Sequence, residues 1–241
     1  MTLLISEDLR NLICEELAPL QLTNFYFALL PANFDQAKAF NSKFKRVAKL
    51  RSVLASSKPV FYYRDFYHRR LSHHDDHLKV YRRASPQKQF RLWPAKALAP
   101  KMRPILAQQL DRLNANSRFR IVLQINQELL LFFHGFSALD ESKLQTAIDH
   151  FSRLDTFVHL SFRISHIYRQ PLSPMTNFAI ISPLSVKVLK LAAYGFSSQE
   201  IASQLHLSER GVNYHIDRSR ELLGAKNRIH LISLAHRQGI I

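Results

Sequence analysis

A chain of 241 residues, 46% of them hydrophobic and 17 of them Phe, can bury one large core or a medium one and a small one. Its formal net charge of +16 favours a polyanionic partner, nucleic acid before an anionic membrane surface. One cysteine excludes a disulfide framework and a thiolate metal cluster, and no apolar run approaches the roughly 18 residues of a membrane span.

The opening residues MTLLISEDLRN have no basic leader before an apolar core, so a cytoplasmic chain without a signal peptide is expected. Residues 4–18 have helical spacing, with Cys14 as a small buried hydrophobe rather than a nucleophile. NFYFALLP at 24–31 predicts a strand, and 35–54 a helix with a basic outer face. PVFYY at 59–63 reads as a strand or as a loop entering a helix, and 100–114 as an amphipathic helix. RFRIVLQIN at 118–126 and ELLLFFHGF at 128–136 predict two adjacent strands joined tightly around Asn126 and Gln127. From 139 to 170, Leu144, Ile148, Phe151, Leu154, Val158, Phe162 and Ile164 recur at three or four and predict one long helix. The fold class expected is α+β: an N-terminal α/β/α sandwich, then an all-α C-terminal domain.

Pro171, Pro174 and Pro183 lie among Ser, Thr and Asn, a composition that suits an exposed linker. It divides the chain into residues 1–169, a linker at 170–181, and residues 182–241. Four helices are predicted after it. Ser182 and Pro183 start the first, which Gly195 ends. Ser197 and Glu200 have capping-box spacing at the start of the second. His206–Ser208 form the turn, Ser208 caps the third helix and Gly224 closes it, and RIHLISLAHRQG makes the fourth. Two short helices joined by such a turn are a helix-turn-helix unit, whose second helix can enter the major groove of double-stranded DNA. The third helix puts Arg210, Asn213, Tyr214, Asp217, Arg218 and Arg220 outside and Val212, Ile216 and Leu223 inside. Arg and Asn are the side chains that pair bidentately with guanine and adenine edges.

Three stretches of this region carry a resemblance: VLKLAAYG, then S-x-x-EIA-x-x-L-x-LSER-x-V-x-YH, then LLG-x-x-NR with a closing Gly-Ile-Ile. Residues 181–241 resemble the DNA-binding domain of LuxR-family transcription regulators, and V-N-Y-H is similar to the form in the quorum-sensing branch. The resemblance implies DNA contacts from Ser208, Arg210, Gly211, Asn213, Tyr214, Arg218, Arg220, Lys226, Asn227 and Arg228. The sequence departs from the family at Ser185 (usually Glu), Gly211 (usually Thr) and Leu222 (usually Lys). Gly211 costs the helix about 1 kcal/mol of propensity.

A receiver domain, with its phosphoacceptor Asp after a hydrophobic strand, does not match residues 1–60. The autoinducer-binding domain of the family does: RFRIVLQINQELLLFFHGF and the long helix with Val158-His159 resemble its later part. Its pocket motif, Trp-x3-Tyr-x8-Asp-Pro with a second Trp downstream, maps onto Tyr63, Tyr67, Asp76 and Trp93. His77 stands at the Pro. A one-residue slip gives Tyr62, Phe66 and Asp75; the first register keeps a hydroxyl at the second position and is preferred. The resemblance implies a small lipid-like signal, an acyl-homoserine lactone or a related molecule. Asp76 would accept an amide N–H, Tyr63, Tyr67 and Trp93 would donate to carbonyls, and Phe25, Phe27, Leu123, Ile125 and Phe132 would wall an acyl tail.

HHDDH at 73–77 reads as a solvated loop, because adjacent residues cannot all face one ion; no metal and no cofactor are expected. No nucleophile elbow, phosphate loop or zinc-protease motif is present, so an enzyme is not expected. The reading is a LuxR-type regulator that binds DNA as a homodimer and responds to a signal, with RNA polymerase a further partner. The alternative is a ligand-independent regulator whose first domain serves dimerisation or anion and protein binding. Most of the net charge precedes Met175, where FKRVAKLR at 44–51 and the Lys/Arg between 79 and 103 dominate.

Overall fold

The computed structural model describes residues 3–31, 53–75, 89–151, 155–177 and 180–241. The predicted helix at 35–54 and its basic run fall almost wholly outside them, as does Asp76. The N-terminal half is built on a mixed sheet of β1 (Leu3–Leu4), β2 (Leu22–Pro31), β3 (Leu54–Ala55), β4 (Gln89–Leu92), β5 (Ser117–Gln124) and β6 (Leu129–Ser137). Its strand order is β1-β3-β2-β6-β5-β4. β1 and β3 run parallel; the other neighbours are antiparallel. On it pack α1 (Glu7–Glu16), α2 (Lys58–Phe66, continued by a π-helical turn at Tyr67–Leu71), α3 (Arg103–Asp111), α4 (Glu141–His150) and α5 (Asp155–Ile167).

Strand side chains alternate between faces. Phe25, Phe27, Leu29, Phe119, Ile121, Leu123, Leu131 and Phe133 meet α1, α4 and α5 through Ile13, Leu144, Ile148, Phe157 and Ile164. Tyr26, Ala28, Val122, Leu130, Phe132 and Phe136 meet α2 and α3 through Val60, Tyr63, Tyr67, Leu106 and Leu110. With both faces covered, every residue of β6 is buried, which is why its sequence is nearly all apolar, with His134 and Ser137 the polar exceptions. This is the expected α/β/α sandwich. Cys14 is half-buried against the first of these cores.

Two elements differ from expectation. The long helix at 139–170 is two helices, because Phe151 leaves helical geometry at φ −78° and ψ 88°. The break lets Phe151 pack on Phe90 at 5.8 Å while Phe157 packs on Phe133 at 5.0 Å, two sites one straight helix does not reach together. The proline-rich segment is not an extended, exposed strip either. It forms the short helices α6 (Arg169–Leu172) and α7 (Pro174–Asn177), since Pro fits the first helical turn. Its Leu172, Met175, Ile180 and Ile181 are buried.

The C-terminal region holds α8 (Pro183–Ala193), α9 (Ser198–Leu205), α10 (Glu209–Leu223) and α11 (Arg228–Arg237). Val188, Leu189, Ile201, Val212, Ile216, Leu231 and Ala235 form its core, joined by Met175, Ile180 and Ile181. The end of α11 docks on the β5–β6 turn: Asn126 Nδ2 donates to the Arg237 carbonyl at 3.2 Å, and Arg237 pairs with Glu128 at 3.1 Å. Ser173 Oγ donates to the Gln238 carbonyl at 2.8 Å. Among the described residues, no helix is long and apolar enough to cross a membrane.

Candidate functional site

Each helix of the C-terminal unit starts on a side-chain cap. Ser182 accepts from Ser185 N–H, Ser197 and Glu200 form a reciprocal capping box, and Ser208 accepts from Gly211 N–H at 3.1 Å. His206, in left-handed geometry at φ 55°, ends α9 and turns the chain. Gly224, at φ 66°, closes α10. Three residues thus separate α9 from α10, the helix-turn-helix spacing.

On α10, Val212, Ile216 and Ser219 are buried, while Arg210, Asn213, Tyr214, Asp217, Arg218 and Arg220 are exposed. Arg218 pairs with Glu221 and Arg220 with Asp217 along the helix, at 3.1 and 3.2 Å. Asn213 accepts from Ser198 Oγ at 2.7 Å, which braces it between the two helices. Lys226 is exposed. Asn227 caps α11, accepting His230 N–H at 2.8 Å. Arg228 donates to the Phe196 carbonyl at 2.8 Å and is half-buried. Ser208 is exposed at the start of α10, and Gly211 is half-buried one turn in.

A second site lies in the other half, on the sheet face under α2. The register puts Tyr26 of β2 beside His134 of β6, and His134 beside Arg120 of β5. Arg118 stands two residues away on the same face. Asp75, 1% exposed, is the hub. Its Oδ2 accepts from the Tyr67 hydroxyl, from Trp93 Nε1 at 3.0 Å and from Arg118 at 3.4 Å. Arg118 also donates to the Tyr63 hydroxyl at 3.0 Å and to the Trp93 carbonyl at 3.3 Å. The Trp93 ring lies against both guanidiniums, 4.1 Å from Arg118 Cζ and 4.8 Å from Arg120 Cζ. A separate cleft of about 470 Å³ between β4 and α4 is lined by none of these residues.

The electrostatics follow from burial. Desolvation pushes Tyr26 up, opposed first by Arg64, and pushes Tyr63 up, opposed by Arg118, so both phenols stay protonated. It pushes Tyr67 up as well, with Asp75 adding to the rise. Desolvation holds His134 well below its usual range, reinforced by Arg120, His68, Arg118 and Arg64, so the ring is neutral. Burial also draws the Arg64 guanidinium down.

Tyr63, Tyr67 and Trp93 therefore converge as the motif implied. The carboxylate they surround among the described residues is Asp75, from the alternative register, while Asp76 lies outside those residues. HHDDH is accordingly not all solvated: His74 is exposed, but Asp75 is buried. The tail wall is corrected too. Phe25, Phe27, Leu123 and Ile125 pack on the opposite side of the sheet, because odd positions of β2 and β5 face α1, α4 and α5; Phe132 alone of that set shares the Asp75 side. Sequence reading missed Arg64, Arg118, Arg120 and His134. The signal was there in RFRIVLQ, whose arginines alternate with Phe and Ile in a strand covered on both faces.

The family described as bacterial regulatory proteins, luxR family, matches residues 179–235. Residues 179–235 are a LuxR-type DNA-binding domain. Over 98% of this chain and 91% of its own length, a crystal structure of Escherichia coli SdiA superposes with TM-score 0.40 at 16% identity. A structure of SdiA in complex with octanoyl-rac-glycerol gives 0.39 at 15% identity over 96% and 88%. A phage VqmA–DPO complex gives 0.25 at 18% identity over 52% and 50%. No curated protein matches in sequence. Likenesses this distant say nothing about what this chain binds.

Within the LuxR-type domain, the three sequence departures have local accounts. Ser185 hydrogen-bonds to His215 Nδ1 at 3.0 Å, tying α8 to α10. Gly211 leaves room around the Ser208 cap. Leu222 packs against the domain core.

Proposed function

We propose that this chain is a DNA-binding transcription regulator whose N-terminal sandwich takes a small-molecule signal on the α2 face of its sheet. The LuxR-type domain supports the first half. The observation that carries the second is the convergence of Tyr63, Tyr67, Asp75, Trp93 and Arg118 inside a layer that packing alone would fill with apolar groups. Buried polar networks of this kind fix the orientation of a ligand. Arg210, Asn213 and Tyr214 read base edges, while Ser208, Arg218, Arg220 and Lys226 hold phosphates, with Gly211 at the point of closest approach. Asn227 and Arg228 position the start of α11. A two-fold dimer binds a paired site in the cytoplasm, and the signal favours the DNA-competent form before RNA polymerase acts. The signal class expected from the sequence is an acyl-homoserine lactone or a related lipid-like molecule.

A second reading has its own support: Asp75, Tyr67, Trp93 and Arg118 satisfy one another, so the network also serves as a rigid core of a ligand-independent dimerisation scaffold. One experiment separates the two. Genomic DNA fragments bound by the full chain are sequenced, and the best site is titrated with protein purified from its host and with protein stripped of small molecules. Equal affinity of both preparations, with no co-purified small molecule in native mass spectra, rejects the signal reading. No site preference beyond random DNA rejects the regulator reading.

A further inference from the structure

On the α2 side of the sheet, Asp75, 1% exposed, pairs with Arg118, also 1% exposed. Arg64, 6% exposed, is a second buried cation, and the neutral His134 beside it is 8% exposed. Asp75 already receives Tyr67, Trp93 and Arg118. Arg64 Nε, one of its terminal nitrogens, and His134 Nδ1 find no hydrogen-bond partner among the described residues. Arg64 and His134 are within electrostatic reach of each other, and both act near Tyr26, which stacks on His134 at 4.4 Å. Buried guanidinium nitrogens without acceptors are rare, because desolvating them is costly unless an anion meets them. Guanidinium offers donors only, in a fork that matches two oxygens of one anionic group. The neighbouring surface is apolar: Ala28, Val122, Leu130 and Phe132.

We infer that the N-terminal domain takes a small organic anion, its carboxylate or phosphate held by Arg64 and His134 and its apolar part laid against Val122, Leu130 and Phe132. This rests on the small-molecule reading above and narrows it to acids over neutral lactones or esters. Arg64 and His134 then act as the specificity-determining pair, while Asp75 and Arg118 hold the floor of the site.

The test follows thermal unfolding of the full chain with sodium decanoate, decyl phosphate, inorganic phosphate, methyl decanoate and N-decanoyl-homoserine lactone. Decanoate, decyl phosphate or both should raise the unfolding temperature saturably, and methyl decanoate and the lactone should not. The stronger of the two acids identifies the headgroup, and a response to inorganic phosphate alone would show that the headgroup suffices. Arg64→Met should raise the unfolding temperature of the ligand-free protein and weaken binding of the acids by about tenfold or more. The inference is overturned if Arg64→Met lowers the ligand-free unfolding temperature or leaves the response to acids intact. Stabilisation by the lactone or ester but by no acid overturns it while the small-molecule reading stands. No response to any of the five overturns both.

Discussion

Replacing Asp75 tests whether the buried network is organised around its charge. Asp75 and Arg118 are both 1% exposed, and Arg118 lies 3.4 Å from the carboxylate oxygen. Asp75→Asn keeps an acceptor for the Tyr67 hydroxyl and for Trp93 Nε1 but strands the guanidinium. Breaking a buried pair from one side costs about 3–5 kcal/mol. Because the two neutral donors keep a partner, the lower end, about 3 kcal/mol, is expected. Arg118→Met alone should also destabilise, since it frees Asp75 and takes a donor from the Tyr63 hydroxyl. The double variant removes both charges at once, so the two losses should fall short of adding by about 1–3 kcal/mol. The assay is denaturant unfolding followed by tryptophan fluorescence. Trp93 is the single tryptophan and sits in the network, so the signal reports the sandwich and not the LuxR-type domain. Additivity within about 0.5 kcal/mol, or an Asp75→Asn loss below about 1 kcal/mol, would refute the claim that these charges hold each other.

Three further outcomes are expected. A Cβ at Gly135 would overlap the Phe119 ring, so Gly135→Ala should destabilise the sandwich by about 1–3 kcal/mol in the same fluorescence assay. At Gly211 an added Cβ meets Ser208 Oγ at 3.3 Å and otherwise has room. Gly211→Thr should therefore leave the circular-dichroism melt of the protein nearly unchanged while shifting base preference in a binding-site selection; unchanged preference would place base reading on Arg210, Asn213 and Tyr214 alone. His134 is held neutral in the fold, its pKa well below the ordinary imidazole value of 6.5, so the unfolded chain binds the extra proton as pH falls. Its contribution to stability is present above pH 6.5 and is lost progressively below it. His134→Gln should flatten that acid limb of a stability–pH curve, against the unchanged neighbours Tyr26, Arg64, His68, Arg118 and Arg120.

The LuxR-type domain was legible residue by residue because its determinants are local. Ser197, Glu200 and Ser208 cap helices within three residues of themselves, and Gly224 needs only its own backbone geometry. β5 and β6 were legible for a similar reason, since a short turn joins two apolar strands. The break at Phe151 was not, because the three- and four-residue spacing runs through it and the cause is distant: Phe90 draws Phe151 one way while Phe27 and Phe133 receive Phe157. Short β1, β3 and β4 lack any periodicity of their own, and the sheet recruits them by register.

The sequence by itself determined the α+β class, the helix-turn-helix and the aromatic partners Tyr63, Tyr67 and Trp93. Tertiary structure alone placed Asp75 among them and decided which face of the sheet they share. A one-residue choice between Asp75 and Asp76 has no local signature, since both sit in the same run of His and Asp. What picks out Asp75 is pairing: a buried acid must find donors, and Arg118, Trp93 and Tyr67 come from three different parts of the chain. In the same way Arg118 and Arg120 look like ordinary strand charges until β4, β6 and α2 close over them and bury both guanidiniums beside Trp93.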